Sequence, residues 1–364
     1  MKNLVYGAGG HGEIFCKEIE KHVGEVSFFI DQYTDKKSLL GKPVRRLDDV
    51  CLNHANVYVS VTTPGAEKEV VENLRKRGAE NVYSFKDTLH RFPEAVKECV
   101  KFTRTWYSSE TREMVDHSAL AEVKKLLGDE KSVRLLDTIM KFREELRPEQ
   151  YPIPDSGVQY FPSDVELFRK NDRIRFVDGG SFIGDTLSES LTEFERLNKQ
   201  IEYIAAFEPD PSNMKKLRRE VEKSRDANPD VNFFIYPCGL WSSNEFLPFK
   251  NSGSSSSCVV ERAEVAEGDI TGIPVVSLDT VLTGAPPNFV KMDIEGSEKE
   301  AIQGARNILS DHVPDLAVCL YHRPGDLWEI PLLINEITPS YDMHLRLHGN
   351  LGMELVLYCV ERKR

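Results

Sequence analysis

No CxxC pair occurs among the seven cysteines (Cys16, Cys51, Cys99, Cys238, Cys258, Cys319, Cys359), and their number is odd. Scattered in this way they suggest neither a zinc ribbon nor a disulfide framework. Inside an apolar run such as Val318-Cys319-Leu320 a thiol serves as a small hydrophobe. No apolar run approaches the ~20 residues that a membrane helix needs. The chain opens directly into the strand-like Lys2-Asn3-Leu4-Val5-Tyr6 with no signal-peptide pattern, so a cytoplasmic protein without a membrane span is expected. Positive charge is also short, with 47 basic against 59 acidic side chains and a net charge of −12. That balance argues against nucleic acid as a general partner but leaves room for a local basic pocket. No internal repeat is found, and the one low-complexity patch, Ser254–Ser257, reads as a loop that could cover an active site.

What the chain does have is two strand–glycine–helix signals in 364 residues, a length that suits two domains. Residues 1–88 read as a Rossmann-like N-terminal domain. Leu4-Val5-Tyr6 runs into Gly7-Ala8-Gly9-Gly10-His11-Gly12 and a helix to about His22. Strands follow at Val26–Ile30, Val57–Val61 and Asn81–Phe85, with a helix from Gly65 to Arg77. Gly7, Gly9 and Gly12 fit GxGxxG, and Asp31 falls where an acid could meet a ribose. With Phe28-Phe29-Ile30-Asp31 after it, this segment resembles the N-terminal Rossmann-like domains of some bacterial sugar-modifying acyltransferases. A packing or oligomerisation role with no dinucleotide bound stands beside that reading, and a homo-oligomer is compatible with it. Residues 89–173 read as a helical connector and cap, with helices over Ala119–Leu127 and Val133–Leu146 stopped by Arg147-Pro148.

Residues 174–364 form the second domain. Strands are expected at Arg175–Asp178, Ile201–Phe207, Asn232–Tyr236, Asn288–Met292 and Leu316–Leu320, then at Tyr341–Leu347 and Glu354–Val360 around a short turn at Gly349-Asn350. Helices alternate with them at Pro211–Lys223 and Ser297–Leu309. The class is therefore α/β: two Rossmann-like units, the second an open doubly wound sheet closed by an antiparallel edge hairpin. In such sheets the ligand lies beyond the carboxyl ends of the strands, where Asp178, Glu208, Cys238, Asp293 and His322 collect. Gly180 and Gly184 clear space for backbone to touch a ligand, and Glu208 could accept both hydroxyls of a ribose. A phosphate would want a helix start free of acid, yet Asp178 opens this turn and Asp185 follows it. A cationic ligand without phosphates fits better, and S-adenosylmethionine has that character.

Residues 151–364 resemble the FkbM-type methyltransferases. The motifs that carry the resemblance are Phe176-Val177-Asp178-Gly179-Gly180-Ser181-Phe182-Ile183-Gly184-Asp185-Thr186, Phe207-Glu208-Pro209-Asp210, Val275-Val276-Ser277-Leu278-Asp279 and Val290-Lys291-Met292-Asp293-Ile294-Glu295-Gly296-Ser297-Glu298, with Tyr321 to Trp328 resembling one subgroup. The resemblance implies a seven-stranded class I methyltransferase sheet, S-adenosylmethionine as donor, and an oxygen of a sugar, glycan or natural product as acceptor. Cofactor binding is expected from Asp178, Gly180, Ser181, Gly184, Thr186, Glu208, Pro209, Cys238 and Gly239. Catalysis is expected from Asp293, Glu295 and His322, as base and orienting groups or as ligands of Mg²⁺ or Mn²⁺. The general methyltransferase glycine pattern would place a third glycine at Phe182. Two rivals stay open: an NAD(P)-dependent sugar-modifying enzyme using Gly7, Gly9, Gly12 and Asp31, and a non-catalytic nucleotide-binding protein.

Overall fold

The computed structural model describes residues 1–103, 105–107, 115–250, 258–259 and 270–363; the Ser254–Ser257 patch lies outside them. The chain divides into two compact units. The first comprises Met1–Met114, Arg134–Ser156 and Leu347–Glu354, and the second Val115–Val133, Gly157–Arg346 and Leu355–Arg364. Among the described residues no helix is long and apolar enough to cross a membrane.

In the first unit six strands form one sheet: β1 (Lys2–Tyr6), β2 (Val26–Ile30), β3 (Ser38–Leu39), β4 (Lys42–Arg45), β5 (Ala55–Val59) and β6 (Asn81–Tyr83). Their order is β3-β4-β2-β1-β5-β6. β1 runs parallel to both β2 and β5, and only the short β3 is antiparallel to its neighbour. Helices α1 (Gly10–His22), α2 (Pro64–Lys76), α3 (Phe85–Arg91) and α4 (Glu94–Thr103) belong to the same unit. β6 stops at Tyr83, short of Phe85, because Ser84 and Asp87 form a reciprocal capping box that starts α3 at Phe85. Leu4, Ile30, Val57, Val59 and Leu74 fill the core of this unit.

The second unit takes in α5 (His117–Leu126) and the first residues of α6 (Glu130–Glu145). It continues with β7 (Arg173–Gly179), α7 (Asp185–Arg196), β8 (Gln200–Phe207), α8 (Pro211–Ala227) and β9 (Asn232–Tyr236). A small sheet follows that the sequence pattern does not announce, β10 (Gly239–Leu240), β11 (Glu245–Lys250), β12 (Cys258–Val259) and β13 (Ile270–Val276), in the order β10-β13-β11-β12. Then come α9 (Leu278–Val281), β14 (Phe289–Met292), α10 (Glu298–Gln303), α11 (Arg306–His312), β15 (Asp315–Cys319), α12 (Asp326–Ile337), β16 (Tyr341–Leu347) and β17 (Leu355–Glu361). The main sheet has the order β16-β17-β15-β14-β7-β8-β9. β14 is parallel to β7 and β15, β7 to β8 and β8 to β9, while β17 runs antiparallel to β15.

β14 and β15 are buried along their whole length, the pattern of central parallel strands covered on both faces. Phe176 of β7 and Phe289 of β14 stack at 5.0 Å, and Phe161 and Phe168 pack onto Phe289 at 5.8 and 4.9 Å. Each such ring contributes about 1.5–3 kcal/mol by burial. The cluster thereby holds the segment around residue 160 against the two strands that flank the point where strand order reverses. The helix expected over Ser297–Leu309 is broken at Gly304. There the chain passes so close to the Trp241 carbonyl that any Cβ would overlap it. The Asp279 carboxylate then accepts from Asn307 N and Ile308 N, each at 2.9 Å, and starts α11 anew.

Candidate active site

The glycine turn after β7 is tied to the end of β8: Gly180 N and Ser181 N both donate to the Phe207 carbonyl, at 3.1 and 3.0 Å. Gly180 has φ +76°, and a Cβ on it would overlap the carbonyl oxygen of Asp293, so glycine is required. Phe182 sits at φ +47°, the conformation that a third glycine would take without strain. Its amide donates to Glu208 Oε2 at 2.9 Å, which holds the turn against the first acid of the Phe207-Glu208-Pro209-Asp210 motif. Ser181 Oγ donates to the Asp178 carbonyl at 2.8 Å, Gly184 (φ +91°) precedes α7, and Thr186 lies buried in its first turn.

Glu208 is buried, and Oε1 accepts from Asp210 N at 2.7 Å. Burial pushes its carboxyl up to about 7, against the pull of the hydrogen bonds from Asp210, Asn213 and Phe182. The cap of α8 is Asp210, whose Oδ1 accepts from Ser212 N and Asn213 N, which leaves Glu208 free of that duty. Pro209 is half-buried between them. Cys238 is buried, its thiol pushed up to about 11 by burial. Gly239 begins β10, close against Val275.

Asp178 is wholly buried, and neither of its carboxylate oxygens has a well-directed hydrogen bond. Lys291, its cross-strand neighbour on β14, brings Nζ to 3.0 Å from Oδ1 and donates to the Gly180 carbonyl at 2.7 Å. Burial alone would lower the Lys291 ammonium; the charges of Asp178 and Asp293 outweigh it and hold Lys291 protonated.

Beyond β14 a second group of acids forms. Asp293 accepts from Tyr160 Oη at 2.8 Å and from Tyr321 Oη at 3.1 Å. His322, after β15, places Nε2 at 3.4 Å from Asp293 and 3.8 Å from Glu295, and Nδ1 at 2.9 Å from Glu298. The imidazole is buried, which would lower its pKa, but the carboxylates of Glu298, Asp293 and Glu295 raise it well above its ordinary value. Asp293 is held below the ordinary range: the charges of His322 and Lys291 and the two phenol hydrogen bonds overcome its burial. Burial and the Glu298 charge push the nearby Asp326 up to about 7. Ligand atoms of Asp293, Glu298 and His322 lie within 4.8 Å of one another, so these three could hold a metal ion.

The structure thus brings Asp178, Gly180, Ser181 and Glu208 together around one turn, and Asp293, Glu295 and His322 into one charged cluster. Cys238 and Gly239 lie apart from that cluster, at the end of β9. Five further residues were not singled out in the sequence: Tyr160, Lys291, Glu298, Tyr321 and Asp326. Lys291 carried a signal, a lysine inside the otherwise apolar run Phe289 to Met292.

Residues 178–349 match the family model described as the Methyltransferase FkbM domain. That stretch of the chain is similar to the FkbM methyltransferase domain. A solved structure, Methyltransferase FkbM from Methylobacillus flagellatus KT, aligns with 99% of this chain and 90% of its own at TM-score 0.60 and 23% identity, which shows the same fold. The citrinin polyketide synthase CMeT domain aligns with 82% of this chain and 79% of its own at TM-score 0.28 and 11% identity, too distant to carry an argument. No curated protein matches the chain. The mixed α/β fold of the chain matches that of the solved FkbM methyltransferase.

Proposed function

We propose that this FkbM-domain protein is an S-adenosylmethionine-dependent O-methyltransferase acting on a hydroxyl of a sugar, glycan or natural product. The carrying observation is the excess of carboxyl groups at the strand ends. Four carboxylates, Asp178, Asp293, Glu295 and Glu298, gather around the two cations Lys291 and His322, and the buried oxygens of Asp178 lack well-directed donors. Buried acids in excess call for a cationic ligand, and a sulfonium with an ammonium meets that need where a phosphate would not. Asp178 and the Gly180 turn would hold the amino-acid end, and Glu208, with one acceptor position left beside its three hydrogen bonds, the ribose.

When bound, S-adenosylmethionine supplies an electrophilic methyl group. The acceptor hydroxyl must lie in line with it and lose a proton. Asp293, at the end of β14, takes the hydroxyl hydrogen bond and then the proton; Tyr160 and Tyr321 fix its carboxylate. His322, held as a cation among three carboxylates, orients Asp293 and Glu295 instead of serving as the base. Calorimetry with S-adenosylmethionine, followed by a methyl-transfer screen over glycans and sugar nucleotides, tests the reading. A folded protein that binds no S-adenosylmethionine sinks it.

A second reading has one observation in its favour. Glu298 Oε2 and both nitrogens of His322 lack well-directed hydrogen-bond partners, and with Asp293 they form a donor set that suits Mn²⁺ better than Mg²⁺. Activity that is lost to a chelator and restored by Mn²⁺ selects this reading; indifference to the chelator selects the side-chain base.

A further inference from the structure

The acid proposed as the base keeps 22% of the Asp293 side chain open to solvent, while Tyr160, Tyr321, His322 and Lys291 around it are buried. Its two oxygens are not alike. Oδ1 accepts from Tyr321 Oη at 3.1 Å and has His322 Nε2 against it at 3.4 Å. Among the described residues Oδ2 has one donor, Tyr160 Oη at 2.8 Å. A carboxylate oxygen takes two hydrogen bonds, so Oδ2 has one position left beside the phenol, whereas the imidazole crowds Oδ1. Tyr160 itself is tightly set. Gln159 Nε2 donates to Tyr160 Oη at 3.0 Å, which directs the phenol's own proton to Asp293. Tyr160 has φ +69°, a backbone conformation that an aromatic residue adopts only where its surroundings impose it. Here Tyr160 N donates to Tyr358 Oη at 3.3 Å, and Phe161 packs against Phe289 and Phe194 at 5.8 and 5.4 Å. Lys291 Nζ lies 5.3 Å from the centre of the Tyr160 ring, so the ring is held as well.

We propose, resting on the methyl-transfer reading, that Tyr160 is a specificity-determining residue that leaves one hydrogen-bonding position on Asp293, at Oδ2, and so selects which hydroxyl of a polyhydroxylated acceptor is methylated. A hydroxyl that donates to Oδ2 has Tyr160 Oη as its neighbour and a single line of approach. The acceptor oxygen forms its bond to the methyl carbon as that carbon's bond to sulfur breaks with the electron pair on sulfur, and the hydroxyl proton goes to Asp293 Oδ2. With the phenol removed, Oδ2 offers two positions. Hydroxyls arriving along either can then lose their proton, and fewer of those arrivals are in line with the methyl group. Tyr321 has a different part, because the oxygen it occupies is the one that His322 already blocks.

The test uses the full chain, with calorimetry for S-adenosylmethionine, a panel of methyl glycosides as acceptors, and proton NMR of tyrosine-labelled protein. The wild type should methylate one ring position. Its Tyr160 hydroxyl proton should give a slowly exchanging downfield resonance that moves in Asp293→Asn. Tyr160→Phe should lower kcat by about tenfold or more, leave KM for the glycoside and S-adenosylmethionine affinity nearly unchanged, and add a second methylated position. Gln159→Glu offers the phenol a competing acceptor with the ring intact, and should add the same second product even if Tyr160→Phe folds poorly. Tyr321→Phe should cost less turnover and keep a single product. Four results overturn the proposal: one product from both Tyr160→Phe and Gln159→Glu, a second product from Tyr321→Phe, a Tyr160 proton indifferent to Asp293→Asn, or no glycoside methylated by a chain that binds S-adenosylmethionine. A wild-type chain that binds no S-adenosylmethionine sinks the methyl-transfer reading itself, which keeps the two failures apart.

Discussion

The two glycine turns use the same backbone device and arrive at different chemistry. In each, the acid at the end of the second parallel strand reaches back and accepts a turn amide at 2.9 Å: Asp31 from Ala8 and Glu208 from Phe182. The surroundings differ. In the first turn a Cβ on Gly7 would overlap Ser60 Oγ, one on Gly12 the Gly7 carbonyl, and one on Gly10 the Phe102 ring. Those glycines are explained by close internal packing, and Phe102 lies where a ligand would approach α1. Three amides hold Asp31 below the ordinary carboxylate range despite its partial burial. In the second turn Gly180 makes room for backbone beside Asp293, while Glu208 is driven up to about 7 and Asp178 is left without well-directed donors. A glycine fingerprint therefore marks a tight strand-to-helix passage, and the strand ends around it decide what is bound.

The largest expected effect is on turnover in the second unit. Asp293→Asn keeps the shape but removes the charge, and should lower turnover by ~10²-fold or more with S-adenosylmethionine affinity nearly unchanged; normal turnover on a true acceptor would reduce Asp293 to a structural role. Next, Glu208→Ala should weaken S-adenosylmethionine by about ten- to a hundredfold, whereas Asp31→Ala should leave that affinity unchanged. Equal effects from the two would erase the contrast between the turns.

The raised Glu208 carboxyl adds a pH signature. Its folded-state value lies above the ordinary 4.5, so its contribution to stability is full below about 4.5 and is lost as pH rises through about 7. In the same window ionisation makes it a better acceptor for ribose hydroxyls, with buried Asp210 and the amide of Asn213 beside it. S-adenosylmethionine affinity should therefore rise by up to about tenfold from pH 6 to 8, read by calorimetry; a flat profile removes Glu208 from the ribose. The smallest effects compare two glycines. Gly180→Ala, at φ +76° against the Asp293 carbonyl, should cost on the order of 3 kcal/mol. Gly9→Ala, whose Cβ would meet nothing within 4 Å, should stay within about 0.5 kcal/mol. Urea midpoints measure both.

The seven strands of the main sheet are legible in the sequence because central parallel strands are short, apolar and bounded by glycine or acid, as Val290 to Asp293 and Leu316 to Tyr321 illustrate. Legible too are the acids at their ends, since each follows a strand directly. What escapes is whatever depends on distant pairing. Tyr160 meets Asp293 across 133 positions, carried there by the packing of Phe161 and Phe168. Glu298 looks like an ordinary first-turn acid until β15 brings His322 beside it. The small sheet β10-β13-β11-β12 escapes because β10 and β12 have two residues each and show no period.

β17 follows every other strand of the main sheet in the chain, yet it lies inside the sheet, and β16 joins the rest only through it. During synthesis β15 therefore waits with one edge unpaired, its residues from Asp315 to Cys319 all destined for burial. An apolar parallel edge of that kind is an invitation to pair with another chain. Until β17 has emerged, the nascent protein is at its most prone to aggregate, and a ribosome stalled before residue 355 would present that edge to its neighbours.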